Sequence, residues 1–221
     1  MTSTTTPPRL RRALRIGLVS LVSLSTLATA AVDPGSASAG ELPVNALADE
    51  VTSSATEALR VLDLHTVTQD PVDEALYTWN RAATAAHAAR QLGYDPVEMI
   101  DAWAATDVAH QKAVLAALTQ VGVPYRSNAR SEGVAFDCSG LTSWAWAHGG
   151  HDLYHQSGTQ ISSSRRVDRA DAAAGDLVHY PGHVMMYLGV GDAIVHAPRT
   201  GRTVEIDTIS RDSVTFGDPT G

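Results

Sequence analysis

A change of texture near Pro124 constrains this chain more than any other feature. Residues 43–120 hold one glycine, Gly93, whereas thirteen glycines fall between residues 122 and 221. A long glycine-poor run can be helical throughout, while strands joined by tight turns need glycine as punctuation. Helices followed by a strand meander predict an α+β layout.

The helical half carries its own start and stop signals. Asp70-Pro71 is an N-cap followed by proline at the first helical position, opening a helix to about Gln91 that stops at Gly93. Asp95-Pro96-Val97-Glu98 repeats the device with an acid at the third position. Thr106 or Asp107 caps another helix, with Val108, Val114, Leu115, Leu118 and Val121 on its apolar side, ending at Gly122-Val123-Pro124. Trp79 and Trp103 read as packing anchors.

Beyond Pro124, residues 127–133 read as loop. Residues 138–147 read as a short helix closed by Gly149-Gly150, with Trp144 and Trp146 as its core and rim residues. Residues 157–169 read as polar and irregular, with Arg165, Arg166 and Arg169 on a solvated face. Four β-like runs follow at 176–180, 183–188, 193–196 and 203–207, separated by glycine-containing turns. No internal repeat is present.

Before the helices, Arg9, Arg11, Arg12 and Arg15 precede an uncharged run from Ile16 to Ala31, and Ala37-Ser38-Ala39 supplies a small-x-small cleavage pattern. This reads as an export signal over residues 1–39, with Ala30 as a second cleavage point. The apolar run falls short of the roughly 20 residues that span a bilayer. An exported protein with no stable membrane anchor is therefore expected. Removing residues 1–39 leaves 12 basic against 23 acidic residues, a formal charge of about −11. Such a balance argues against nucleic acid as a partner. The expected organisation is a signal peptide (1–39), a helical segment (40–105) and an α+β domain (106–221).

Cys138 is the only cysteine of the chain, so it can form no internal disulfide. It stands at a predicted helix N-terminus, where unpaired amides favour a thiolate and lower the thiol pKa. A nearby imidazole would complete a nucleophile. His183 opens one predicted strand and His196 ends the next, so antiparallel pairing through the turn at 189–192 sets them side by side. His183 would then be the base, and His196 would fix its tautomer.

Five blocks now line up: Gly122-Val-Pro-Tyr125, Phe136-Asp-Cys-Ser-Gly-Leu141, Ala174-Gly-Asp-Leu-Val178, His183-Val-Met-Met-Tyr-Leu-Gly189 and Ile194-Val-His-Ala-Pro198. In order and spacing they resemble the NlpC family of cell-wall cysteine peptidases, over roughly residues 107–210. The resemblance implies a papain-like fold and hydrolysis of peptidoglycan stem peptides, typically between D-glutamate and diaminopimelate, with no cofactor and no metal. It gives Cys138 as nucleophile, His183 as base and His196 as third polar residue. Tyr125 would lie over the site and help the oxyanion with the Cys138 amide. Asp137 and Ser139 would bind a stem-peptide amine, and Ser157 would be a further substrate contact. Three departures stand out. Arg126-Ser127-Asn128 replaces the family's Trp-Gly-Gly turn, only Tyr180-Pro181-Gly182 precedes the base, and the chain ends soon after Phe216, which puts a closing strand in question.

Rival readings are a non-catalytic wall-binding or partner-regulating protein on the same fold, and another envelope amidase or acyl transferase. His148, His151, His155 and His179 suggest a zinc site with Cys138, but their spacing matches no ligand signature, and ordinary polar roles are expected. The helical segment is read as a packing partner of the domain, with an inhibitory cap over Cys138 or a docking module as alternatives.

Overall fold

A computed structural model describes residues 46–221; the export signal and both its cleavage points lie outside the described residues. Four helices come first: α1 (Ala46–Thr68), α2 (Pro71–Leu92), α3 (Pro96–Ala104) and α4 (Val108–Thr119). Their ends are set by the residues that the sequence singles out. Asp70 accepts from the Val72 amide at 2.8 Å, Asp95 from the Val97 amide at 2.8 Å and Asp107 from the His110 amide at 2.9 Å. Each carboxylate satisfies an otherwise orphaned donor of the first turn. Gly93 ends α2 in the left-handed conformation at φ 74°.

The second half comprises β1 (Arg130–Ser131), β2 (Ala135–Phe136), α5 (Cys138–His148), α6 (Ser157–Ser163), β3 (Arg165–Val167), β4 (Leu177–Tyr180), β5 (His183–Tyr187), β6 (Ala193–His196), β7 (Glu205–Thr208) and β8 (Thr215–Asp218). β1 and β2 form a small hairpin, and the other strands form one six-stranded antiparallel sheet ordered β3-β8-β4-β5-β6-β7. The fold is α+β, with the Cys138 helix packed on an antiparallel sheet.

Several expectations are corrected. The closing strand is present: β8 enters between β3 and β4, so the segment after Phe216 completes the sheet instead of leaving it open. Residues 157–169, read as irregular, hold α6 and β3. The side chain of Gln160, fully buried, organises that stretch by donating to the Ser139 and Tyr154 carbonyls and accepting from Thr142. The loop at 127–133 contains one strand of the β1–β2 hairpin. Val108, at the first position of α4, is exposed, whereas Val114, Leu115 and Leu118 are buried as expected. Trp79 is 75% exposed, on the outer face of α2 with Val72 and Leu76, and anchors nothing within the described residues. Among those residues no helix is long and apolar enough to cross a membrane.

The main core is continuous from Val51 of α1 through Trp103 of α3 and Leu115 of α4 to Trp146 of α5 and Met186 of β5. Trp103 donates its indole N–H to the Leu188 carbonyl at 2.8 Å, and the Tyr94 hydroxyl accepts from the Asp192 amide at 3.0 Å. Both bonds fasten the helices to the turn joining β5 and β6, at the opposite end of β5 from His183. A smaller cluster of Val178, Met185, Tyr187, Ile194 and Phe216 fills the other face of the sheet.

α5 approaches its neighbours very closely. A Cβ added at Gly140 would lie 2.0 Å from the Ala129 carbonyl oxygen, a backbone atom that cannot swing aside. Gly140→Ala is therefore expected to push the start of α5 outward, costing roughly 1–3 kcal/mol as overpacking does. A thermal melt alongside a hydrolysis assay checks this, with activity expected to fall more than tenfold because Cys138 opens the same turn.

Candidate active site

Cys138 is the first residue of α5, and Asp137 is its N-cap. The Asp137 carboxylate is fully engaged. One oxygen accepts from the Gly140 amide at 2.7 Å, the Ser139 hydroxyl at 3.1 Å and His155 Nε2 at 2.9 Å; the other accepts from the Asn128 amide at 2.7 Å. Asp137 and Ser139, matched by resemblance to amine-binding positions, are thus tied into the cap of the Cys138 helix. His155, read as an ordinary polar residue, locks that cap. Its contact joins positions eighteen residues apart, which no local pattern in the sequence signals.

The backbone amide of Val184, one residue after His183 on β5, favours the thiolate form of Cys138. Burial pushes the thiol pKa up, the Asp137 charge adds to it, and the amides of Val184, Ser139 and Cys138 itself only partly oppose it. This reverses the expectation that the helix N-terminus would lower it. The helix end does supply donors, but the desolvation of a mostly enclosed sulfur outweighs them.

His183 and His196 lie on adjacent strands, and His183 Nε2 stands 2.9 Å from His196 Nδ1. This bond occupies Nε2 of His183 and leaves its Nδ1 outside the histidine pair. Burial, followed by the charges of His196, His179 and Arg211, lowers the His183 pKa to about 4. Burial also lowers His196, against the raising effect of Glu205 and Asp207. At neutral pH both groups are thus uncharged at rest, the thiol raised above its ordinary value and the His183 imidazole lowered to about 4.

The pH dependence follows from these directions. A base whose pKa is depressed stays unprotonated, hence competent, until the pH falls to that depressed value. Hydrolysis is therefore expected to hold from pH 7 to about 5 and to fall with a midpoint near 4 rather than near the ordinary imidazole range, about 6.5. A profile of kcat/KM against pH measures this, and a midpoint near 6.5 would contradict the buried base.

Tyr125 is held by backbone bonds on both sides. Its amide donates to the Arg202 carbonyl at 2.8 Å, and the amides of Arg126 and Phe136 continue the pairing across the segment. Burial raises its hydroxyl pKa, and the charges of Cys138 and Asp137 add to that. Ser157 opens α6, half-buried, with Gln156 as the cap before it.

The four histidines of the zinc reading are dispersed. The rings of His148 and His151 lie edge-on to Trp144 and Trp146, His155 is bonded to Asp137, and His179 lies on β4 with a buried Nε2 that has no partner. Among the described residues, the donor sets compact enough to share an ion are His110–Asp176–Asp218 and His196–Glu205–Asp207, and neither contains Cys138.

Arg165, Arg166 and Arg169 are exposed, as expected of a solvated face, and Arg165 and Arg169 pair there with Asp218 and Asp192. Sequence reasoning also missed Glu205 and Asp207. They lie on β7 with their carboxylates 3.4 and 3.9 Å from His196 Nε2. Their alternation at positions 205 and 207 of a strand was the available signal.

Residues 122–215 match the profile of the NlpC/P60 family. Over 114 residues, 44% of this chain, the sequence is 35% identical to the peptidoglycan endopeptidase RipA of Mycolicibacterium smegmatis, and the match covers 23% of that protein. It is 42% identical over 90 residues to a Corynebacterium glutamicum protein named as a probable endopeptidase, covering 39% of this chain and 42% of that one. It is 30% identical over 110 residues to the murein DD-endopeptidase MepH of Escherichia coli, covering 43% of this chain and 38% of that one. The matched part thus spans less than half the length of each of these relatives.

Proposed function

We propose that the protein, whose residues 122–215 match the NlpC/P60 family profile, is an exported peptidoglycan endopeptidase using Cys138 as nucleophile. The observation that carries this reading is the alignment of Cys138, at the head of α5, with the start of β5, where His183 is backed by His196 at 2.9 Å. In this mechanism the sulfur attacks a stem-peptide carbonyl as its proton passes to His183 Nδ1. The carbonyl carbon becomes tetrahedral, and its oxyanion is met by the Cys138 amide with Tyr125 alongside. His183 then protonates the departing amine as the C–N bond breaks, leaving a thioester. Water attacks with His183 as base, releasing the new carboxylate and restoring the thiol. Transfer of the thiol proton on substrate binding suits a pair that is neutral at rest.

The bond proposed is the one between D-glutamate and diaminopimelate. Asp137 is proposed to act chiefly by holding α5, with Ser139 and Ser157 as contacts of the substrate edge. The helices α1–α3 are proposed as a packing partner of residues 106–221, because Trp103 and Tyr94 attach them away from Cys138.

Thiol alkylation tests the reading. Iodoacetamide is expected to modify Cys138 and abolish muropeptide hydrolysis in step, with a disaccharide-tetrapeptide slowing both losses. Undiminished hydrolysis by fully alkylated protein would refute it.

A further inference from the structure

We propose that Glu205 is a positioning residue that sets the tautomers of His196 and His183, an inference that rests on the thiol mechanism above. For His183 Nδ1 to take the thiol proton, its own proton must sit on Nε2. That Nε2–H must then donate to His196 Nδ1, 2.9 Å away. A neutral His196 accepting at Nδ1 carries its proton on Nε2. This Nε2 is buried and has no hydrogen-bond partner in good geometry, but the Glu205 carboxylate stands 3.4 Å from it.

The opposite arrangement puts a proton on His183 Nδ1 and a lone pair on His196 Nε2. It presents no acceptor to the thiol and so disables the base. A carboxylate facing His196 Nε2 separates the two arrangements, since it attracts an N–H there and repels a lone pair. Without it, only the more distant and more exposed Asp207 carboxylate favours the productive form.

The fold holds Glu205 in this place twice over. It is paired directly with His196 in the β6–β7 register. Its oxygens also accept from Arg202 Nε at 3.1 Å and from Arg202 Nη2 at 2.7 Å each, which sets the plane of the carboxylate. The groups facing His196 are thus His183 from β5, Glu205 and Asp207 from β7, and Arg202 from the preceding turn. Asp207 is farther away, at 3.9 Å, and about half exposed, so water weakens its influence.

The test combines kinetics with a direct reading of the protons, in buffer containing a chelator so that no metal sits on these donors. Glu205→Gln is expected to lower kcat roughly 10- to 100-fold, a part of the roughly 10²- to 10⁴-fold that general acid–base catalysis supplies. KM and melting temperature are expected to change little, and Asp207→Asn to stay within about threefold of the parent. Nitrogen-15 NMR of the two histidines at neutral pH is expected to show Nε2–H on both rings in the parent protein and a mixture with Nδ1–H in Glu205→Gln. Glu205→Asp, which keeps the charge, should retain the parent tautomers and recover part of kcat. If Glu205→Gln does not fold, Glu205→Asp carries the comparison, and a tautomer mixture there would count against the proposal.

An unchanged tautomer in Glu205→Gln would overturn the positioning role, whether kcat falls or not. The NMR result stands independently of turnover. Parent protein that fails to hydrolyse muropeptides would therefore sink the thiol mechanism while the tautomer assignment is still read.

Discussion

Cys138→Ala is expected to abolish muropeptide hydrolysis, a loss of at least about 10⁴-fold, and to leave the melting temperature nearly unchanged. The first half of that expectation comes from the chemistry. Removing the nucleophile of a thiol mechanism removes the covalent intermediate, and the neighbouring Ser139 hydroxyl, bonded to Asp137, does not replace it. Losses of this order or larger follow nucleophile removal where the groups act as a unit. The second half comes from the packing. The cap of α5 is made by Asp137, with donors from Gly140, Ser139, His155 and Asn128, none of which is the sulfur. Activity measured beside a thermal melt tests both parts, and a variant that loses its fold would show that the thiol is structural.

The largest expected effect on stability is at Trp103. Its ring is 2% exposed in the shared core, and its N–H bonds the Leu188 carbonyl at 2.8 Å. Trp103→Ala leaves a cavity worth about 3–5 kcal/mol and strands the Leu188 carbonyl without its donor. For a protein of this size that corresponds to roughly 10 °C or more in Tm, which calorimetry would read. Trp103→Phe keeps most of the ring and loses the N–H, so it separates the two contributions. The same reasoning predicts that a fragment of residues 106–221 is destabilised rather than released from inhibition, because it exposes apolar surface that α1–α3 cover. A stable fragment more active than the longer protein would instead favour an inhibitory cap.

What the sequence made legible was local or carried by motif. The caps at Asp70, Asp95 and Asp107 are each a side chain bonding an amide two or three residues on, so spacing alone finds them. The pairing of His183 with His196 follows from two strands and a short turn. What escaped is contact across distance. β8 inserts between β3 and β4, an arrangement invisible in strand order along the chain. His155 reaches Asp137 only because α5 and the segment before α6 fold together. The exposure of Trp79 against the burial of Trp103 depends on which helix face meets the core, and the sequence marks both residues alike. The thiol shift was misjudged for a related reason. A helix end is visible in sequence, whereas the enclosure of the sulfur by β5 is a property of the assembled fold.

The central claim is hydrolysis of a stem peptide by Cys138, and mass spectrometry of the products tests it most directly. Protein beginning at Gly40 and its Cys138→Ala variant would be incubated with purified diaminopimelate-containing muropeptides, both crosslinked and uncrosslinked. The account predicts, from the parent alone, a fragment ending in D-glutamate and a released peptide beginning with diaminopimelate, whether or not the substrate is crosslinked. Equal products from the variant, or none from the parent, would contradict the account; cleavage confined to the crosslink would contradict the bond it assigns.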